Sequence, residues 1–188
     1  MDAEPETNLV PAPLLNPYLE LHRLTRELPN ETRLELRKKL IWAYAWAIPS
    51  DEAVRMIAEY SPLIEVGAGT GYWAWLLEQA GARVQCFDRE PEQVPRWHAI
   101  SRGTPESIPL PAGHTLFLCW PPLDLPMAYL ALREFRGRHV VYLGEWAKHT
   151  ADREFHRELS ERWILERSAA LPNWPGFEDR VFVFLRKD

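Results

Sequence analysis

The residues with the most chemical potential stand close together in Leu63-Ile64-Glu65-Val66-Gly67-Ala68-Gly69-Thr70-Gly71-Tyr72-Trp73. An apolar run carrying one acid meets glycine at every second position, and a helical pattern of Trp73, Leu76, Leu77 and Ala80 follows at once. This order reads as strand, tight turn and helix. Glycine lets the main chain turn sharply and lets a ligand approach where a Cβ would collide. The helix behind it points free N–H groups and the positive end of its dipole into the same space. The run Val84-Gln85-Cys86-Phe87-Asp88 places a second acid at the end of the next strand. Together these residues can cradle a ligand with main-chain amides and hold it with two carboxylates.

The spacing Glu65-x-Gly67-x-Gly69-x-Gly71 resembles the first motif of class I S-adenosylmethionine-dependent methyltransferases, and Asp88 stands where that family has its second acid. The resemblance implies a Rossmann-like, doubly wound α/β fold and S-adenosylmethionine as cofactor. It further implies that Gly67, Ala68, Gly69, Thr70, Gly71 and Tyr72 pass under the cofactor, that Glu65 helps position its methionine end, and that Asp88 binds the ribose hydroxyls. Arg89, Cys119 and Tyr44 join the expected cofactor contacts. A dinucleotide fingerprint fits some of the same letters, Gly69-x-Gly71-x-x-Ala74 with Asp88 downstream, so an NAD(P)-binding oxidoreductase stays open. Too little chain remains, however, for the second nucleotide-binding half and substrate domain such an enzyme carries.

Cys119-Trp120-Pro121-Pro122-Leu123 resembles the fourth motif of the amino-methylating members, with Trp120 in the place of the polar residue and Leu123 in the place of the aromatic. Its prolines can fix a turn that aims carbonyls at a substrate, or serve only as a rigid loop. Methyl transfer from a sulfonium needs alignment and exclusion of water more than acid–base groups. A hydroxyl or ammonium acceptor must still lose a proton, and Glu145 is the first candidate base, followed by Asp124 and His149. Trp120 is the third expected catalytic residue. Trp73, Trp120, Trp146 and Trp174 are expected at strand ends, with Trp42 and Trp46 on a helix laid across them. Such a wall suits a sulfonium and a small aromatic or cationic acceptor. The altered fourth motif also leaves room for a module that binds the cofactor without turnover. His98, His114 and His139 lack ligand spacing, so no metal is expected.

The elements that must position these groups follow from pattern. Residues 1–15 are acidic and proline-bearing and read as a flexible arm; 16–188 read as one methyltransferase-like domain, with N-terminal helices over 16–60 and an α/β core over 61–188. Asn16-Pro17 opens a helix with Tyr18, Leu21, Leu24 and Leu28 on one face. Asn30 opens a second, with Leu34, Leu40, Ile41 and Tyr44 on one face and Arg33, Arg37, Lys38 and Lys39 mostly off it; these four read first as a solvated side, with contact to phosphate or an acidic partner as the alternative. A third runs from Ser50 to about Tyr60. Strands are expected at 63–66, 83–87, 98–101, 115–119 and 139–143, with helices at 72–80, 125–135 and 150–163 and a short helix or turn over 91–98. Strands at 164–169 and 180–185, joined by a proline- and glycine-rich loop, should close the sheet as an antiparallel hairpin. The N-terminal helices should pack over the cofactor mouth.

The 188 residues are 46% hydrophobic and 26% charged, ordinary for a globular protein. The net charge of −5 argues against a large nucleic-acid surface, though not against a local patch. No apolar run approaches membrane-spanning length, and the acidic N-terminus does not read as a secretory signal. Cys86 and Cys119 fall in separate apolar strands and read as free thiols, for which a reducing cytoplasm is the default.

Overall fold

The computed structural model describes residues 12–91 and 96–187. Helix α1 spans Pro17–Leu24, α2 Asn30–Ala43 and α3 Asp51–Ala58; then come β1 Leu63–Val66, α4 Tyr72–Gln79, β2 Val84–Asp88, β3 Ile100–Arg102, β4 Thr115–Cys119, α5 Met127–Glu134, β5 His139–Gly144, α6 Arg153–Arg162, β6 Trp163–Ala170 and β7 Arg180–Arg186. The seven strands form one sheet in the order β3-β2-β1-β4-β5-β7-β6. β1 lies parallel to β2 and β4, and β7 runs antiparallel to both β5 and β6. This is the mostly parallel α/β sheet with a terminal hairpin that the alternation of patterns calls for. The order also separates the two cysteines, since β1 stands between β2 and β4.

All four residues of β1 are buried, as a central parallel strand covered on both faces must be. Successive side chains alternate between two cores. Leu63 packs with Phe117, Val141 and Val183 beneath α3 and α4, while Ile64 and Val66 pack with Leu116, Val140 and Phe184 beneath α5 and α6. The N-terminal helices belong to the first of these clusters through Tyr18 and Leu19 of α1 and Val54 and Ile57 of α3.

Helix α1 departs from its expected face. It ends at Leu24, and its buried residues are Tyr18, Leu19 and His22, whereas Leu21, Leu24 and Leu28 are exposed. The reason is the anchor at its start. Asn16 Oδ1 accepts from Leu19 N–H at 3.2 Å, and the Tyr72 hydroxyl joins Asn16 Oδ1 to the Tyr18 amide. That bridge rotates the first turn so that Tyr18 faces α4, and the leucine stripe is carried outward. Helix α2 is also turned: its buried residues are Arg37 and Ile41, so Arg37 points inward instead of lying on a solvated side. Residues 92–95, within the helix or turn expected over 91–98, lie outside the described residues, as do 1–11 of the expected arm. The third strand forms at Ile100–Arg102, two residues later than expected, paired with Cys86–Asp88.

Candidate functional site

The turn after β1 carries the backbone its glycines allow. Gly67, Gly69 and Gly71 have φ of 76°, 56° and 73°, in the left-handed region that L side chains rarely adopt. A Cβ on Gly71 would stand 2.8 Å from His98 Cβ, whereas one on Gly69 would meet nothing within 4 Å. Gly71 is therefore a packing glycine, and Gly69 borders open space. That space is a cavity of about 630 Å³ running from Gly67 and Gly69, past Asp88 and Arg89, to Thr104 and Glu106 beyond β3 and to Trp120, Leu123, Asp124 and Met127 beyond β4. A smaller chamber of about 70 Å³ adjoins it, between the glycine turn and the end of α2. Both lie beyond the carboxyl ends of the parallel strands, beside the crossover between β1 and β4, where open α/β sheets bind ligands.

Two acids serve this space. Asp88 Oδ2 accepts the Gly69 amide at 2.9 Å and Oδ1 accepts the Glu90 amide at 3.0 Å, so the carboxylate is fixed at the cavity wall. Glu65 lines the small chamber and is buried, with the Cys86 thiol donating to Oε2 at 3.5 Å. Burial pushes its pKa up to about 8, and that weak thiol bond offsets little of the penalty. Burial thus favours the neutral acid, and a positive charge arriving beside it would favour the ionised form. Ala68 and Cys119 line the same chamber. Thr70 lines it too, and its hydroxyl donates to the Tyr44 carbonyl and accepts the Tyr72 amide, fastening the end of α2 to the glycine turn. Tyr44 is stacked between Tyr18 and Trp97 at the chamber wall. Tyr72 is buried, and its hydroxyl is used by the Asn16 bridge. Arg89 is exposed at the rim, 3.8 Å from Glu90.

The expected catalytic residues separate. Trp120 and Asp124 line the large cavity, but Glu145 does not; it is 1% exposed behind it. Glu145 Oε1 accepts the Glu178 amide at 2.9 Å, and Oε2 is in contact with His149 Nδ1. His149 lies at the cavity. The structure thus places an imidazole in front of a buried carboxylate, the pairing that fixes a histidine's tautomer and orientation. The sequence offered these two residues as separate candidates, and their spacing of four was the only sign of a pair. The turn after β4 is tied down: the Trp120 amide donates to the Leu143 carbonyl and the Ala151 amide to the Pro121 carbonyl, both at 2.8 Å. Trp120 sits at φ 52° with its indole N–H donating to Asp179 Oδ1 at 2.7 Å. Asp179 is 4% exposed, and burial raises its pKa to about 7 against the pull of that hydrogen bond.

Of the six tryptophans expected at the mouth, Trp46 and Trp120 line the large cavity, stacked at 5.0 Å. Trp42, Trp46 and Trp73 border the chamber. Trp146 packs instead on Phe182 and Phe184, and Trp174 is buried with its N–H donating to the Tyr18 hydroxyl. Neither of those two lines the large cavity or the chamber. The sequence reading missed Asp179 and took Arg37 mainly as a solvated charge. Among the described residues, no group of three or more His, Cys, Asp or Glu side chains could hold a metal ion.

No protein-family model and no curated protein matches the sequence. Solved structures do match the fold. The chain is similar to Burkholderia thailandensis 1,6-didemethyltoxoflavin-N1-methyltransferase, with a TM-score of 0.51 and 17% identity over 95% of this chain and 94% of that one. It also matches magnesium protoporphyrin IX methyltransferase from Synechocystis, with a TM-score of 0.49 and 11% identity over 89% of this chain and 91% of that one. A third match is the Pyrococcus abyssi tRNA (uracil-54, C5)-methyltransferase, with a TM-score of 0.47 and 17% identity over 71% of this chain; the chain spans 37% of that enzyme's length. The glycine turn, the acid closing β2, the strand order and the overlap with the Burkholderia enzyme agree: this chain has the Rossmann-like fold of the class I S-adenosylmethionine-dependent methyltransferases.

Proposed function

We propose that this protein is an S-adenosylmethionine-dependent methyltransferase acting on a small, flat acceptor. The observation that carries the proposal is the open side of Gly69: a left-handed glycine borders the large cavity, its amide is held by Asp88, and the buried Glu65 lines the adjoining chamber. These residues fit the cofactor. Glu65 would meet its positively charged methionine end. Asp88, whose oxygens each keep a second lone pair, would accept from the ribose hydroxyls. Gly103 and Thr104 beyond β3 would border the base. When bound, S-adenosylmethionine supplies an electrophilic methyl group.

The chain's own residues would do the remaining work. Trp46 and Trp120 offer flat walls for the acceptor and exclude water. His149, held by Glu145, would take the acceptor's proton at Nε2, with Glu145 as the positioning residue. Asp124, exposed at the rim, is the alternative proton acceptor. Of the two acceptor classes read from the aromatic residues, the cationic one has weaker support, because Arg37 already lies against Trp46 and Trp120. We further read residues 16–188 as one unit, since α1 and α3 share a buried cluster with the sheet. No helix among the described residues is long and apolar enough to cross a membrane. The two free thiols suit a reducing compartment such as the cytoplasm.

A second reading, a module that holds the cofactor without turnover, is favoured by Trp120 standing where amino-methylating relatives have a polar residue and by the tie between the Pro121 carbonyl and Ala151. Two measurements separate the readings. S-adenosylhomocysteine should raise the melting temperature while NAD and NADP leave it unmoved; the reverse result would sink the cofactor assignment. Labelled methyl transfer into a small-molecule extract then distinguishes an enzyme from a module.

A further inference from the structure

Resting on that reading, we propose that the acceptor carries a carboxylate on its flat ring, and that Arg37 receives this carboxylate side-on through its Nε–H and Nη2–H. Arg37 is 9% exposed, and among the described residues neither Nε nor Nη2 has a hydrogen-bond partner. These two donors lie on one edge of the guanidinium, the edge whose parallel N–H groups match the two oxygens of a carboxylate. Its Cζ stands 3.9 Å from the ring centre of Phe177, 5.4 Å from Trp46 and 5.5 Å from Trp120. Aromatic faces satisfy the guanidinium's plane and leave its edge unmet. A buried donor without an acceptor is costly, so two on one edge point to a group that arrives from outside the chain.

The neighbouring acids do not supply that group. Asp179 Oδ1 takes the Trp120 indole, and Glu145 takes the Glu178 amide and His149. One turn earlier on the same face, Arg33 stands over Trp174 at 6.0 Å, and its buried Nε is also without a partner. Arg33 and Arg37 thus both present unmet donors on this side of α2. Trp46 and Trp120 line the large cavity and are the indoles that lie against Arg37, and Trp46 is 38% exposed on the segment joining α2 to α3. An acceptor ring lying against these two indoles would bring a carboxylate on its edge toward the guanidinium.

The test uses three probes with one ring system: 2-naphthoate, 2-naphthamide and 2-naphthylmethylammonium, titrated calorimetrically into protein saturated with S-adenosylhomocysteine. Naphthoate should bind at least about tenfold more tightly than the amide, as expected for a charge-assisted paired hydrogen bond. Arg37→Gln should abolish that preference. Arg37→Lys, which keeps the charge without the fork, should lose most of it. Both variants should keep their affinity for S-adenosylhomocysteine, which shows that they fold. The proposal is overturned if the ammonium binds most tightly, if Arg37→Gln binds naphthoate as the natural chain does, or if no naphthyl probe binds. Failure of S-adenosylhomocysteine to bind would sink the cofactor reading instead, and the same titration on the ligand-free protein would still judge the carboxylate edge.

Discussion

The Gly69 amide donates to Asp88 Oδ2 at 2.9 Å, joining the turn after the first strand to the end of the second. One carboxylate therefore sets the shape of the glycine turn and also faces the large cavity. Asp88→Ala removes both functions, so affinity for S-adenosylhomocysteine should fall by about ten- to a hundredfold, the worth of one or two charge-assisted hydrogen bonds. Asp88→Asn keeps one acceptor oxygen and should lose less. Calorimetry reads both, and unchanged affinity in the alanine variant would remove Asp88 from the site.

Gly69 and Gly71 share a left-handed backbone and differ in what surrounds them. Alanine at either position carries a conformational cost of about 1–2 kcal/mol. At Gly71 the new methyl would also meet His98 Cβ at 2.8 Å, so Gly71→Ala should lower the melting temperature more than Gly69→Ala does. At Gly69 the methyl would enter open space at the cavity wall. Gly69→Ala should therefore fold nearly normally and lose cofactor affinity. Equal effects of the two substitutions on both measurements would contradict the division of roles.

Stability should fall as pH rises above about 6.5, beyond the range in which the buried His22 and His156, lowered by burial, act in the opposite sense. Burial raises Glu65 from its ordinary carboxylate value to about 8 and Asp179 to about 7. Between the ordinary value near 4 and these raised values, the folded chain holds protons that the unfolded chain has already released. The folded state is then favoured at the acidic end and loses that advantage on the way up to about pH 8. Urea denaturation at pH 6.5 and pH 8.5 should differ by on the order of 2 kcal/mol in that direction. Glu65→Gln should flatten much of the slope; a slope of opposite sign would refute the assignment.

Trp120→Phe tests the indole bond to Asp179. That bond favours the charged carboxylate, so its loss penalises Asp179 only where the group is ionised. The variant should be less stable by about 1–3 kcal/mol at pH 8.5. At pH 5.5, where Asp179 is protonated, the loss should be much smaller. A loss that does not change with pH would mean that the tryptophan acts by packing alone.

The chain's letters by themselves determined the strand, glycine turn and helix around Gly67–Gly71, the acid at Asp88, the parallel alternation and the closing hairpin. Each of these is a local matter: a period of apolar residues, a backbone conformation open to glycine, or a loop too short for a helix. The tertiary structure decided which way each helix turned and what its polar residues met. The stripe of Leu21, Leu24 and Leu28 predicted a buried face, yet the Asn16–Tyr72–Tyr18 bridge, made across more than fifty positions of sequence, turned those residues outward. Arg37 read as a solvated charge because its cover of Trp46, Trp120 and Phe177 comes from three separate segments. Glu145 read as a base, and the fold buried it behind His149. Periodicity tells a helix which residues share a side; only packing against distant elements tells that side where to face.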